Sequence, residues 1–157
     1  MSNNVNHPKH YNSHPNGIEC IDIIRHYTCD IANAIKYLSR AGLKPEMGKE
    51  DAEKEIEDLE KALWYIEDYY SNFNSRGQQC ICMRNAEYHT AFKEMTGYTI
   101  EDVCSGYPSP IKEAMTNLLF VGLVHNGCVV VCSLFSKKTP IENIQQRITD
   151  IKNNIKK

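Results

Sequence analysis

In three segments between residues 17 and 72 the apolar residues recur at intervals of three and four, which is the spacing of amphipathic helices. This pattern predicts a short helix over 17–27, a second from Asp30 to Gly42, and a long third at roughly 49–72. Asp30 is expected to cap the second helix and Gly42 to end it. The acidic residues of the third helix are expected to form a solvated face. The predicted core positions are Ile31, Ile35 and Leu38, followed by Ala52, Ile56, Leu59, Leu63 and Ile66.

After residue 79 the chain changes to short segments of mixed character. Cys80–Met83 is predicted to be a strand, and Asn85–Gly97 a helix with Asn85 as its cap. The run from Thr99 to Asp102 has the form of a capping box, in which a threonine and a carboxylate satisfy each other's backbone N–H groups. Ser109-Pro110 predicts the start of another helix, because proline is favoured at the first helical position.

The last part of the chain predicts a β-hairpin and a terminal helix. Asn126-Gly127 lies between the apolar runs Leu119–Val124 and Cys128–Phe135, which is a strong hairpin signal. A final helix is predicted to start at Thr139-Pro140. Its apolar stripe has the three-and-four spacing of a coiled-coil seam. The stripe could pack on the chain's own sheet or join two subunits, and both remain open; its members are Ile141, Ile144, Ile148, Ile151 and Ile155.

These elements predict an α+β protein of two parts. Residues 1–72 form a three-helix unit, 73–79 a polar linker, and 80–157 a small α+β unit with a β-hairpin and a terminal helix. At 157 residues the chain can hold one ordinary domain or two small ones. The C-terminal unit is the candidate for oligomer formation because it carries the isoleucine stripe.

The charge of the chain argues against duplex nucleic acid as a partner. The formal net charge is only -2, whereas duplex binders are usually basic. Residues 1–74 hold 8 basic and 13 acidic side chains, and residues 75–157 hold 10 and 7. The two parts therefore differ in sign, which fits units that attract each other or bind different partners.

Cellular location can be predicted from what the sequence does not contain. No apolar run approaches the length of a membrane span, and the first residues lack the features of a signal peptide. We therefore expect a cytoplasmic protein without membrane contact. The seven cysteines include no C-x-x-C pair, so buried free thiols are expected rather than disulfides or a thiolate metal site.

Two polar segments carry side chains suited to binding a nucleotide. The segment 5–12 has no helical or strand period, and the second predicted helix has one polar face. Arginine grips phosphate with paired hydrogen bonds, lysine supplies a point charge, tyrosine stacks on a base, and asparagine reads a base edge. The candidate ligands are Asn6, His7, Lys9, His10 and Tyr11 in the segment, and Asn33, Lys36, Tyr37 and Arg40 on the helix.

Other readings of these residues are open. The helix face could be ordinary solvated surface. His7, His10 and His14 have a spacing that could collect a divalent metal, and the Glu53, Glu57 and Glu60 carboxylates could hold Mg²⁺. We predict no metal site. Catalytic residues stay unassigned, because no Walker A loop, dinucleotide fingerprint, H-E-x-x-H or G-x-S-x-G motif is present.

Four blocks of the sequence, in a fixed order, carry a resemblance to a known family: residues 5–12, 17–22, 34–44 and 58–66. They resemble the SaV-like family of phages and prophages. That family includes a nucleoside monophosphate kinase without a P-loop. The resemblance covers only the N-terminal half. It implies a phage protein that handles nucleotides in the cytoplasm of an infected bacterium, and it adds Lys44 to the candidate ligands. The matching positions are His7, Pro8, Lys9, His10, Tyr11, Gly17, Glu19, Asp22, Lys36, Tyr37, Arg40, Lys44, Asp58, Lys61 and Tyr65.

Three functions are compatible with this sequence. The first is a homo-oligomeric protein that sequesters a nucleotide without turnover, such as a cyclic or ADP-ribose-type signal of anti-phage defence. It needs no cofactor. The second is a P-loop-less nucleoside monophosphate kinase, which would use Mg-ATP. The third is an inhibitor of a host protein. We expect the first.

Overall fold

The computed structural model describes residues 8, 14, 17–43, 46–72, 80–136 and 138–156. These residues form an α+β arrangement, as predicted from the sequence: a helical N-terminal part, then a small sheet and a terminal helix. Along the chain the elements are α1 (Cys20–Ile24), α2 (Cys29–Arg40), α3 (Asp51–Asn72), β1 (Cys80–Met83), α4 (Asn85–Thr96), α5 (Ile100–Cys104), α6 (Ile111–Leu118), β2 (Val121–His125), β3 (Cys128–Cys132) and α7 (Lys138–Ile155).

Helices α2 and α3 pack against each other through the predicted apolar stripes. All of the core positions predicted for α2 are buried. On α3, Leu59 and Ile66 are fully buried, whereas the other predicted positions are partly buried at the edge of the core. The prediction of a wholly solvated charged face on α3 is wrong, because Lys54 and Asp58 are buried as well.

A strand distant in sequence fixes the start of α2. The N-cap is Thr28, not Asp30 as predicted. The backbone N–H of Thr28 donates to the carbonyl of Gly122 at 2.8 Å, which holds Thr28 in an extended conformation outside the helix. Asp30 lies instead in the first turn, where a carboxylate favours the positive end of the helix dipole. At the other end α2 stops at Arg40, with Gly42 at φ +76° in the turn that follows.

The sheet has the strand order β1-β3-β2, with β1 parallel and β2 antiparallel to β3. The predicted hairpin is confirmed: Asn126 and Gly127 have φ values of +50° and +76°, the positive values that a type I′ turn requires. Tyr27 forms an isolated antiparallel bridge with Leu123 of β2. Because Tyr27 is drawn into this bridge, α1 ends at Ile24 rather than at the predicted Tyr27.

For α4, the predicted C-terminal end is confirmed and the predicted N-cap is wrong. Helix α4 begins at Asn85, but its N-cap is Arg84. The Asn85 side-chain carbonyl instead lies 3.5 Å from the Cys132 thiol on β3. The left-handed Gly97 ends α4 as predicted, with φ +82°.

The capping box on α5 is confirmed in both directions. The Thr99 hydroxyl accepts from the Asp102 N–H at 3.0 Å, and the Asp102 carboxylate accepts from the Thr99 N–H at 2.8 Å. Helix α6 begins one residue later than predicted, at Ile111. Pro110 is therefore its N-cap rather than its first helical residue.

The terminal helix α7 packs on helices rather than on the sheet. Ile144, Ile148 and Ile151 are buried, and the main neighbours of α7 are α6 and α3. The alternative in which the stripe packs on the sheet is therefore wrong, because a helical seam of three-and-four spacing fits the groove between two other helices. Ile155, at the end of the stripe, is exposed. Oligomer formation stays a prediction.

Both parts of the chain contribute to one continuous hydrophobic core. The hydroxyls of Tyr27 and Tyr88, one from each part, both donate to the carbonyl of Leu119, at 2.7 and 2.6 Å. The Arg147 guanidinium of α7 also donates to the Glu55 carboxylate of α3 at 2.7 Å. The division at 73–79 stays a prediction, because those residues lie outside the described ones.

The helices that the structure describes include none that is both long and apolar enough to span a membrane.

The described cysteine thiols differ in burial, and Cys128 is intermediate. Cys20, Cys104 and Cys132 are buried as expected, whereas the expectation is wrong for Cys29 and Cys82, which are exposed. Burial raises the pKa of the Cys104 thiol to about 11. The thiolate is the nucleophile, so a buried thiol of raised pKa should react slowly.

Alkylation with iodoacetamide at pH 8 should therefore modify Cys29 and Cys82 much faster than Cys104. Peptide mass spectrometry of the quenched reaction measures each site. Unfolding in urea should bring Cys104 to the rate of the exposed thiols. Equal rates for Cys104 and Cys29 in the folded protein would contradict the burial of Cys104.

Candidate functional site

The structure describes four of the ten predicted ligand residues. Those four, Asn33, Lys36, Tyr37 and Arg40, lie on α2. Lys44 and the candidates of the first segment lie outside the described residues, so their predicted roles remain predictions; the latter are Asn6, His7, Lys9, His10 and Tyr11.

Three cationic side chains gather around the ring of Tyr37. The Arg40 Cζ lies 4.4 Å from the ring centroid, the Lys36 Nζ 4.9 Å and the Lys61 Nζ 5.7 Å. These distances are within the range of cation–π attraction. Lys36, Tyr37 and Arg40 meet because positions three and four apart share one face of α2. Lys61 comes from α3, which packs alongside.

The aromatic surface continues from Tyr37 across α3. Tyr65 stacks on Tyr37 with centroids 5.8 Å apart and an interplanar angle of 18°. Trp64 meets Tyr65 edge-on, at 4.9 Å and 87°. Trp64 is 60% exposed, which leaves its ring accessible to a planar ligand. We call Lys36, Tyr37, Arg40, Lys61, Trp64 and Tyr65 the Tyr37 cluster.

A buried carboxylate holds Arg40 in the Tyr37 cluster. The Arg40 Nη2 donates to the Asp58 Oδ1 at 2.8 Å, and Asp58 is completely buried. The Lys54 Nζ lies 3.3 Å from the same oxygen. Asp58 Oδ2 has no hydrogen-bond partner in the described part of the chain. The Arg40 Nη2 is thus already engaged by Asp58. A bidentate contact of Arg40 with phosphate stays a prediction.

Glu57 neutralises part of the positive charge on α3. Its carboxylate accepts from Lys49 and Lys61, and from Lys54 at 3.2 Å. These ammonium groups hold the pKa of the Glu57 carboxyl well below its usual range. Lys61 is thus shared between Glu57 and the Tyr37 ring, and it is 41% exposed.

The metal alternatives do not assemble among the described residues. No group of three His, Cys, Asp or Glu side chains there is placed to hold a metal ion. Glu57, one of the proposed Mg²⁺ ligands, is surrounded by lysines instead. His14 points its Nε2 at the carbonyl of Val103, 2.8 Å away, while His7 and His10 lie outside the described residues.

Asn33 is occupied by its own helix. Its amide nitrogen donates to the Cys29 carbonyl at 2.9 Å, and its amide oxygen accepts from the Lys36 Nζ at 2.8 Å. These bonds orient Lys36 beside Tyr37. Asn33 would have to break them to read a base edge.

Sequence reasoning missed the α3 side of the Tyr37 cluster as a set of ligands. Lys61 and Tyr65 lie in the fourth of the blocks singled out in the sequence, but their position opposite Tyr37 depends on how α2 packs on α3. A signal was available: Asp58, Lys61 and Tyr65 are spaced by three and four on a helix predicted to be solvated there.

The Tyr37 cluster lies within the part of the chain that matches a known family. No curated protein and no solved structure matches the chain. Residues 5–67, which include α1, α2 and most of α3, match the family described as a protein of unknown function, DUF3310.

Proposed function

We propose that this chain is a phage-encoded nucleotide-binding protein that retains its ligand at the Tyr37 cluster without turnover. The observation that carries the proposal is the combination of an exposed tryptophan with cations that surround a stacked tyrosine pair. Aromatic platforms flanked by basic side chains bind bases and phosphates together.

The chemistry of each group suggests how a nucleotide would lie. Trp64 offers an accessible ring face for the base, and stacking on such a face is worth about 1–3 kcal/mol per base. Lys61 is one turn before Trp64 on α3, so its ammonium can pair with a phosphate attached to the stacked nucleoside. Lys36 supplies a second ammonium from α2. Arg40, held by Asp58, adds positive potential beneath the ligand.

The SaV-like resemblance supports a role in nucleotide chemistry in the infected cell. The residues that match it include five members of the Tyr37 cluster and its neighbour Asp58. Sequestration of a cyclic or ADP-ribose-type defence signal by a homo-oligomer is the form of this function that we favour. The protein would act in the bacterial cytoplasm.

The first test is native mass spectrometry of the purified protein against linear, cyclic and ADP-ribose nucleotides, with and without Mg-ATP. An intact ligand that remains bound in stoichiometric amount supports sequestration. Conversion of a monophosphate to a diphosphate would replace it with kinase activity. No binding of any nucleotide would overturn the proposal and favour a protein partner.

Trp64 provides a direct assay of the site, because it is the only tryptophan of the chain. A base stacked on Trp64 should quench its fluorescence in a saturable manner. Lys61→Ala and Lys36→Ala should each weaken binding about tenfold, which corresponds to the loss of one charged hydrogen bond. Lys112→Ala is the matched control, because Lys112 pairs with Glu101 on the surface, away from the Tyr37 cluster. Equal affinities for all three variants would contradict the proposed site.

A further inference from the structure

A cavity of about 300 Å³ lies where the N-terminal helices meet the C-terminal part of the chain. Its walls come from α1, α2, α5, α6 and the connection between α5 and α6, with α3 and α7 at its edge. Most of the lining is aliphatic, including Leu38, Ile111 and Met115, all buried. Ligand pockets of ~300–1,000 Å³ have this character: apolar walls with few polar groups.

Arg147 brings a guanidinium to the described lining of the cavity, which also includes the His14 imidazole. The Arg147 Nε donates to the Glu55 Oε1 at 2.7 Å. Glu55 thereby fixes the orientation of the guanidinium. The Nη groups make no hydrogen bond to any residue that the structure describes. A guanidinium binds a carboxylate or a similar anion through several N–H groups at once, so Arg147 retains donors for an acceptor in the cavity.

Tyr107 presents a second unused donor. Its ring lies edge-on to His14, with centroids 5.6 Å apart, and its hydroxyl donates to none of the described residues. Burial raises the pKa of Tyr107, so the hydroxyl keeps its proton at neutral pH. The other hydroxyl of the lining, on Ser39, already donates to the carbonyl of Lys36 at 2.9 Å.

Arg147 and Tyr107 therefore offer unused donors, one of them cationic, beside the Glu55 carboxylate, which pairs with Arg147 through Oε1. We propose that the cavity is a second binding site, for a small amphipathic anion with an aliphatic or aromatic body and one acidic head group. The head group pairs with Arg147 and accepts from Tyr107, and the body lies against Leu38 and Met115. This site is separate from the Tyr37 cluster and does not depend on nucleotide binding.

Octanoate and octanol test the proposal as probes with the same chain length and different head groups. The readout is the ¹³C-methyl spectrum of the methionines. Met115 lines the cavity, whereas Met47 is fully exposed and serves as an internal control. Octanoate should shift the Met115 signal in a saturable manner and leave Met47 unchanged. Octanol should bind about tenfold more weakly, because it lacks the charge that pairs with Arg147.

Two variants test separately the contact of the head group with Arg147 and the space that the body of the ligand occupies. Arg147→Gln should reduce octanoate affinity to that of octanol and leave the quenching of Trp64 by nucleotide unchanged. Ala41→Leu adds volume to the lining and should abolish the Met115 shift with both probes. A thermal unfolding curve of each variant checks that it is folded.

Three results would overturn the proposal. One is an unchanged Met115 signal at millimolar octanoate. Another is equal affinity of the wild type for octanoate and octanol. The third is a shift of Met47 as large as that of Met115, which would indicate general adsorption to the surface.

Discussion

Replacing Asp58 by alanine should lower the free energy of unfolding by about 3–5 kcal/mol, the range for removal of one partner from a buried ion pair. Asp58 is completely buried, and the side chains of its partners Arg40 and Lys54 are only 9% and 4% exposed. Without the carboxylate, two cationic groups would remain in a poorly hydrated space with reduced compensation. The cost of that desolvated charge, rather than the lost attraction itself, makes the effect large.

Urea denaturation followed by circular dichroism measures this loss. Glu101→Ala is the matched control, because it removes a carboxylate from an exposed pair with Lys112, at 3.0 Å. That change should cost less than about 1 kcal/mol. The double replacement Arg40→Met with Asp58→Leu should recover part of the stability, since apolar side chains of similar volume can replace a buried pair. A loss for Asp58→Ala as small as that for Glu101→Ala would contradict the burial of this network.

The Asp58 network also connects stability to the proposed site. Arg40 contacts the Tyr37 ring on one side and Asp58 on the other. A change at Arg40 would therefore disturb both the fold and the Tyr37 cluster. Lys36 and Lys61 are better probes of ligand binding, because both are partly exposed and neither belongs to the buried pair.

Local periodicity predicted which segments are helices and which residues of α2 are buried. It did so because an apolar stripe reports the face that must leave water, whatever covers it. The same stripe does not identify the covering element, and for this reason the sequence left the partner of α7 open. The caps of α2 and α4 were displaced by contacts from β2 and β3, which no local pattern contains.

The sequence predicted only the α2 side of the candidate site. Lys36, Tyr37 and Arg40 share a face by helical spacing alone, and the structure brings them together. Lys61, Trp64 and Tyr65 join them only through the alignment of α3 against α2. The apparently acidic and solvated α3 thus contributes cations and aromatic rings to the same surface. The register between two helices depends on packing along their whole length, so a single sequence does not determine it.

Gly122→Ala should destabilise the protein through two separate costs. Gly122 has φ +78°, and a left-handed conformation costs a residue with a Cβ about 1–2 kcal/mol. A Cβ there would also lie 2.7 Å from the Ile31 Cγ1 and 2.9 Å from the Thr28 Oγ1. Relief of that overlap requires α2 to move from β2, and overpacking of this kind costs about 1–3 kcal/mol. The total expected loss is about 2–5 kcal/mol.

Gly97→Ala separates the two costs. Gly97 has a similar φ of +82°, but a Cβ built there meets nothing within 4 Å. Its replacement should incur only the conformational cost. Urea denaturation of both variants therefore measures the close approach of β2 to α2 as the difference between them. A larger loss for Gly122→Ala would show that this contact joins the segment matched by the DUF3310 family to the C-terminal sheet. Equal losses would mean that the strand and the helix can separate without cost, and that the Thr28–Gly122 hydrogen bond does not fix the start of α2.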